Sequence, residues 1–168
     1  MTGEPVRRAD RVRDWLDARF RTPAAIYGLI VFAAFVTISS DHAVDAWDIL
    51  DTAVWTLVVF YIAHVFAHTL TDHGDRGLRA AVWHAMQHAA GMLYAAIPAT
   101  IVLIACGIQG VSTEDAYTAT VWTTTIVLGI LGYAAYSRRG AHPLIRLLGA
   151  LGTAALGLFI VLLEYAVH

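Results

Sequence analysis

The chain has 168 residues, 58% of them hydrophobic and 14% charged, with a mean hydropathy of +0.62. Soluble domains carry about 45–50% apolar and about 25% charged residues, so the composition argues against a disordered chain, a disulfide scaffold or a nucleic-acid binder and points to a polytopic membrane protein. The net charge is −2, all eleven basic residues are arginine, and the single Cys106 lies in an apolar run as a small packing residue.

Residues 1–21 form a charged leader. Val12, Trp15, Leu16 and Phe20 fall at helical spacing with Arg and Asp on the other faces, which predicts an amphipathic helix lying on the cytoplasmic membrane surface, the alternative being a solvated leader helix. Residues 22–168 form a single membrane domain. Thr22-Pro23 is a helix start, and an uncharged first span covers 24–40. Asp41–Asp51 is an acidic loop running into the next helix, whose span covers 52–70. Thr71–Gly77 reads as a short turn containing Gly74. Leu78–Gly107 is a long helical stretch, its span placed near 82–107, with Pro98 expected to kink it. Ser112-Thr113-Glu114-Asp115 matches a capping box before a fourth span at 116–136. Pro143 restarts a helix after the turn at Ser137–His142, and a fifth span covers 144–163. The expected fold is therefore all-α, a five-span membrane bundle with an N-terminal surface helix.

Arginine placement sets the orientation. Arg7, Arg8, Arg11, Arg13, Arg19 and Arg21 precede the first span; Arg76 and Arg79 follow the second; Arg138, Arg139 and Arg146 follow the fourth. The alternate loops carry only acids: Asp41, Asp45, Asp48, Glu114 and Asp115. The expectation is a cytoplasmic N-terminus and an external C-terminus, in a bacterial inner membrane. Trp47, Trp55, Trp122, Tyr117 and Tyr165 gather near the expected external interface as anchors.

Paired histidines are the chemical clue. His64 and His68 lie in the second span, His84 and His88 on the following helix, each pair spaced i, i+4. That spacing puts two rings about 40° apart on one helix face. In an antiparallel hairpin centred on Arg76, His68 would stand level with His84, and His64 with His88. Four neutral imidazoles suit zinc, copper or iron, with Asp72, His73 and Asp75 as additional ligands from the turn. Haem needs two histidines on opposite sides of one iron, and a tight hairpin leaves little room for it. The site reading is thus a metal set at His64, His68, His84 and His88 or a relay for protons, set against histidines that merely hydrogen-bond between helices. No catalytic residue is assigned: there is no His-Glu-x-x-His and no Gly-Lys-Ser/Thr loop, and membrane desaturases need His-x-x-His-His boxes that are lacking here.

Thr118, Thr120, Thr123, Thr124 and Thr125 in the fourth span are expected to bond back to the helix and pack. Gly149, Thr153 and Gly157 form a small-residue stripe for close helix approach, within the monomer or in a homo-oligomer.

Tyr27-Gly28, Ala63-His64-Val65-Phe66-Ala67-His68 and Pro98 together resemble a set of small bacterial integral membrane proteins to which no activity is attached. An arginine before the first span and histidine near the end of the second are also similar to bacterial relatives of the endolysosomal potassium channel. The Phe-Ser-Asp pore motif of that family is replaced by Ile26-Tyr27-Gly28, which removes the residues tied to conduction there. The functional expectation is proton or metal-ion transport from a cytoplasmic-side histidine site. The alternatives are a metal- or haem-binding membrane enzyme and a structural subunit.

Overall fold

The computed structural model describes residues 22–137 and 142–167. The leader helix expected over 1–21, the arginines 138 and 139 and His168 lie outside the described residues. The described chain is all helical, with five helices: α1 Pro23–Ser40, α2 Ala46–Arg76, α3 Leu78–Gln109, α4 Thr113–Ser137 and α5 Pro143–Val167.

Local chemistry sets each boundary. Thr22 caps α1 by accepting the Ala25 N–H at 3.1 Å, with Pro23 in the first turn where no N–H is needed. Asp45 caps α2 by accepting the N–H groups of Trp47 and Asp48 at 2.8 and 3.1 Å. Asp48 reciprocates by accepting the Val44 N–H at 2.9 Å. Half of the expected capping box of α4 is present: Asp115 N–H donates to Ser112 Oγ at 3.2 Å, while the Asp115 carboxylate accepts from the Ser112 hydroxyl at 2.7 Å.

Two breaks need glycine. Gly110 ends α3 with φ +62, and the following Val111 N–H donates back to the Cys106 carbonyl at 3.0 Å. Gly77 has φ +76 and alone separates α2 from α3. The turn expected over Thr71–Gly77 is therefore a single residue, and Gly74 stays helical. A helix interior tolerates one glycine at a cost of about 1 kcal/mol, less than the loss of a continuous helix. Pro98 does not end α3, which runs unbroken from Leu78 to Gln109.

The shortest span, α1, is the hub. It packs against all four other helices, while α2–α3, α3–α4 and α4–α5 pair in sequence. Phe32, Leu29 and Val36 of α1 are fully buried, against Ile49 and Ala53 of α2, Met92, Ala99 and Leu103 of α3, and Leu128 of α4. Alanines at 81, 85, 89, 95, 96 and 99 keep the buried side of α3 thin. α1 and α3 approach closely at Gly28, where an added Cβ would stand 2.6 Å from Met92 Cβ and 2.7 Å from its Cα.

The outside is apolar. Trp55, Val59, Ile62, Phe66 and Leu70 form an exposed stripe along α2, and Trp122, Ile126 and Ile130 another along α4. Water would not tolerate stripes of this length without a partner; lipid would. Four helices, α1 to α4, are long and apolar enough to cross a membrane. The described apolar stretch of α5, Pro143–Phe159, is shorter.

The small-residue stripe packs inside the chain. Beside Gly149 lies the ring of Tyr136, and a Cβ on Gly157 would stand 2.9 Å from Leu128 Cδ1. Thr153 Oγ1 donates across the interface to the Leu128 carbonyl at 2.9 Å. Its own-helix carbonyls, Gly149 and Ala150, lie at 3.0 and 3.1 Å. Gly149→Leu/Gly157→Leu should therefore detach α5 from α4. The expected result is a loss of about 3 kcal/mol or more, as for overpacked sites, read as a lower midpoint in detergent unfolding. A change of oligomer profile at unchanged stability would overturn this.

Candidate functional site: a row of imidazoles across the α2–α3 hairpin

α2 and α3 lie antiparallel because one residue joins them. Both histidine pairs sit within three to four turns of that break, on sides of the helices that meet. His64 and His68 ring centroids are 4.7 Å apart, His68 and His88 4.9 Å, and His88 and His84 6.4 Å. The order is thus His64, His68, His88, His84, with one crossing between helices. All four predicted site residues fall in this row.

The register differs from the hairpin centred on Arg76. His68 meets His88, one helical turn beyond His84. The break falls at Gly77 rather than within a longer turn, so the two helices slide past one another relative to the expected pairing.

Burial is graded along the row. His84 and His88 are exposed, and His64 and His68 are half-buried. The Nε2 atom of His64 is sealed from solvent and has no hydrogen-bond partner among the described residues. Beside it, the Tyr61 hydroxyl donates to the Met86 carbonyl at 3.3 Å. This bond ties α2 to the α3 turn lying between His84 and His88. The buried Thr69 hydroxyl donates to its own helix, at 2.8 Å to the Val65 carbonyl, and takes no part in the row.

Outward from His64, the hydroxyls of several threonines bond back to their own helices. Thr56 donates to the Thr52 carbonyl at 2.7 Å. Thr120, Thr123 and Thr124 bond back to carbonyls four residues earlier at 2.7, 2.7 and 2.8 Å. These threonines satisfy themselves in an apolar interior, as expected for packing residues. The Asp72, His73 and Asp75 side chains lie outside the described residues. Among the described residues, no group of three or more His, Cys, Asp or Glu is arranged to hold a metal ion. A row differs from a shell: neighbours touch in sequence without converging on one point.

The sequence reading overlooked the Tyr61–Met86 bond. Its signal was the one hydroxyl a turn below His64, but reaching Met86 depends on helix rotation.

No protein-family model, curated protein or solved structure matches the chain.

Proposed function

We propose that this chain is a five-span protein of the bacterial inner membrane, cytoplasmic at its N-terminus and external at its C-terminus, that carries protons or metal ions through His64, His68, His84 and His88. One observation supports the proton half of that reading above the metal half. The imidazoles form a contiguous row running from exposed to buried, and each ring can accept a proton on one nitrogen while donating from the other. Proton transfer needs neighbours in contact or joined by one water; a metal centre needs ligands around a point.

Position in the bilayer supports it further. The hydrocarbon core is about 30 Å thick and takes about 20 helical residues. The 31 and 32 residues of α2 and α3 are longer than that. Counting about 20 residues from their outer ends, Ala46 and Gln109, leaves His84 and His88 on the cytoplasmic headgroup side and His64 about half a turn inside the hydrocarbon edge. An ionisable side chain at that depth is a functional candidate by default.

The orientation is tested by reporter fusions after Ser40, Arg76, Gln109, Ser137 and His168. Fusions to a phosphatase that folds only outside should be active after Ser40, Gln109 and His168 and inactive after the other two. The opposite pattern, or equal activity after Ser137 and His168, overturns the topology. The activity is tested on purified protein in liposomes loaded with a pH-sensitive dye. An imposed potential should acidify the lumen at least about tenfold faster than in empty liposomes, a barrier difference of about 1.4 kcal/mol. Background flux would sink the proton reading. A second reading, a structural subunit, rests on Thr56, Thr120, Thr123 and Thr124, whose hydroxyls bond back to their own helices. Background flux together with no stoichiometric zinc, copper, iron or haem would establish it.

A further inference from the structure

Hydrogen bonding around His64 is unevenly shared. The Met86 carbonyl lies inside the continuous helix α3, where the N–H four residues on, that of Ala90, is its regular partner. It nevertheless takes a second donor, the Tyr61 hydroxyl, at 3.3 Å, longer than the about 2.5–3.0 Å of a good O–H···O bond. His64 Nε2 is sealed from solvent and has no partner among the described residues. A buried nitrogen left in that state is costly, whereas a carbonyl that loses its second donor keeps its first. The hydroxyl thus sits on the acceptor that needs it less.

Position puts the other acceptor within its range. Tyr61, His64 and His68 fall at i, i+3 and i+7 on α2, along one face of the helix. Counted from the break at Gly77, Met86 is nearer than either Tyr61 or His64. To reach Met86, the phenol therefore extends toward the break, along the side of α2 that carries His64. Two other hydroxyls at this end of α2 are taken: Thr69 donates to the Val65 carbonyl at 2.8 Å and Thr71 to that of His68 at 2.9 Å.

We propose that Tyr61 is a positioning residue for the row. Its hydroxyl moves between the Met86 carbonyl and His64 Nε2, and when it donates to Nε2 the ring proton of neutral His64 is held on Nδ1. A neutral imidazole has one donor and one acceptor nitrogen, and the bond made by one decides the state of the other. His64 is the sealed end of the row, so a fixed tautomer there gives the row one sense. The ring releases a proton only from Nδ1, and takes one up at Nε2 only once the hydroxyl has returned to Met86. The hydrogen bond stands on geometry alone; only this consequence for flux rests on the proton reading of the row.

The test is nitrogen-15 magnetic resonance of the full chain, with labelled histidine, in liposomes. The sample is held at about pH 8.5, two units above the ordinary imidazole value, so that the rings are neutral. The His64 signals are those missing from His64→Ala. In the parent they should show a protonated Nδ1 and an unprotonated, hydrogen-bonded Nε2. Tyr61→Phe removes only the hydroxyl and should lose that signature, giving both tautomers. Tyr94→Phe, at the tyrosine of α3, should keep it. A carbon label at Tyr61 Cζ gives a readout in the unaltered protein: it should lie within about 4 Å of His64 Nε2, one hydrogen bond plus the C–O bond. A protonated Nε2 in the parent, or an unchanged signature in Tyr61→Phe, overturns the proposal and leaves Tyr61 as a tie between helices. Loss of the signature in His68→Ala or Tyr94→Phe but not in Tyr61→Phe also overturns it, making that residue the donor. The flux assay is separate. Background flux sinks the proton path and leaves the tautomer standing, whereas rapid flux with an unchanged signature in Tyr61→Phe sinks this inference alone.

Discussion

Gly28→Ala should destabilise this protein by about 2–3 kcal/mol, the range of overpacked cores, although alanine is the better helix former by about 1 kcal/mol. The added methyl carbon would stand 2.6 and 2.7 Å from Met92 Cβ and Cα. One of these is backbone, so no side-chain rotation relieves the clash; α1 must move away from α3. That motion is costly because α1 is the hub and its neighbours Phe32 and Leu29 are fully buried against three other helices. Gly152 is the internal control. Nothing lies within 4 Å of a Cβ built there, so Gly152→Ala should be neutral or stabilise by up to about 1 kcal/mol. The measurement is the unfolding midpoint in a detergent titration of both variants beside the parent. Equal midpoints for Gly28→Ala and the parent would show that α1 and α3 are less tightly packed than this contact implies.

The contrast between these glycines shows which parts of the fold were legible beforehand. Apolar runs revealed the helices of the described chain, because 17 or more uncharged residues leave few alternatives. Caps were legible too: Thr22-Pro23 and Ser112–Asp115 act through neighbours three residues away. The α2–α3 junction was misjudged because Thr71, Asp72, His73, Gly74 and Asp75 have loop composition. Polar residues outside the bilayer still continue a helix that the span has already nucleated. That error moved the hairpin centre and, with it, the partner of His68. Which glycine is crowded was legible only in part. The four-residue stripe picked out Gly149 and Gly157, both crowded, but no such spacing distinguishes Gly28 from Gly152, and only the rotation of α1 and α5 decides which faces Met92 and which open space. The same rotation decides whether two i, i+4 histidine pairs make a row or point apart, so the candidate residues could be named while their order could not.

That order makes the histidine prediction sharper than loss of function on mutation. His68 has the two nearest histidine neighbours in the row, at 4.7 Å from His64 on its own helix and 4.9 Å from His88 on the other. His84 stands at the exposed end, 6.4 Å from its neighbour. If protons pass along the row, His68→Ala alone should lower flux at least tenfold, and His64→Ala/His68→Ala should be no worse, because links in series are not additive. His84→Ala should lose less than about threefold, since water can replace an exposed terminal ring as a carrier. His68→Gln separates conduction from glue. Its amide keeps hydrogen-bonding capacity between the helices but cannot carry an imidazole proton, so it should spare stability and still abolish flux. The reverse pattern, flux preserved and stability lost in His68→Ala, would make the row a structural seam. Additive losses across His64, His68 and His84 would mean that the rings act independently. Elemental analysis of the same samples closes the remaining reading: stoichiometric zinc, copper or iron in the parent, absent from His64→Ala/His68→Ala, would mean that the rings rotate to converge on an ion and that the site carries metal in place of protons.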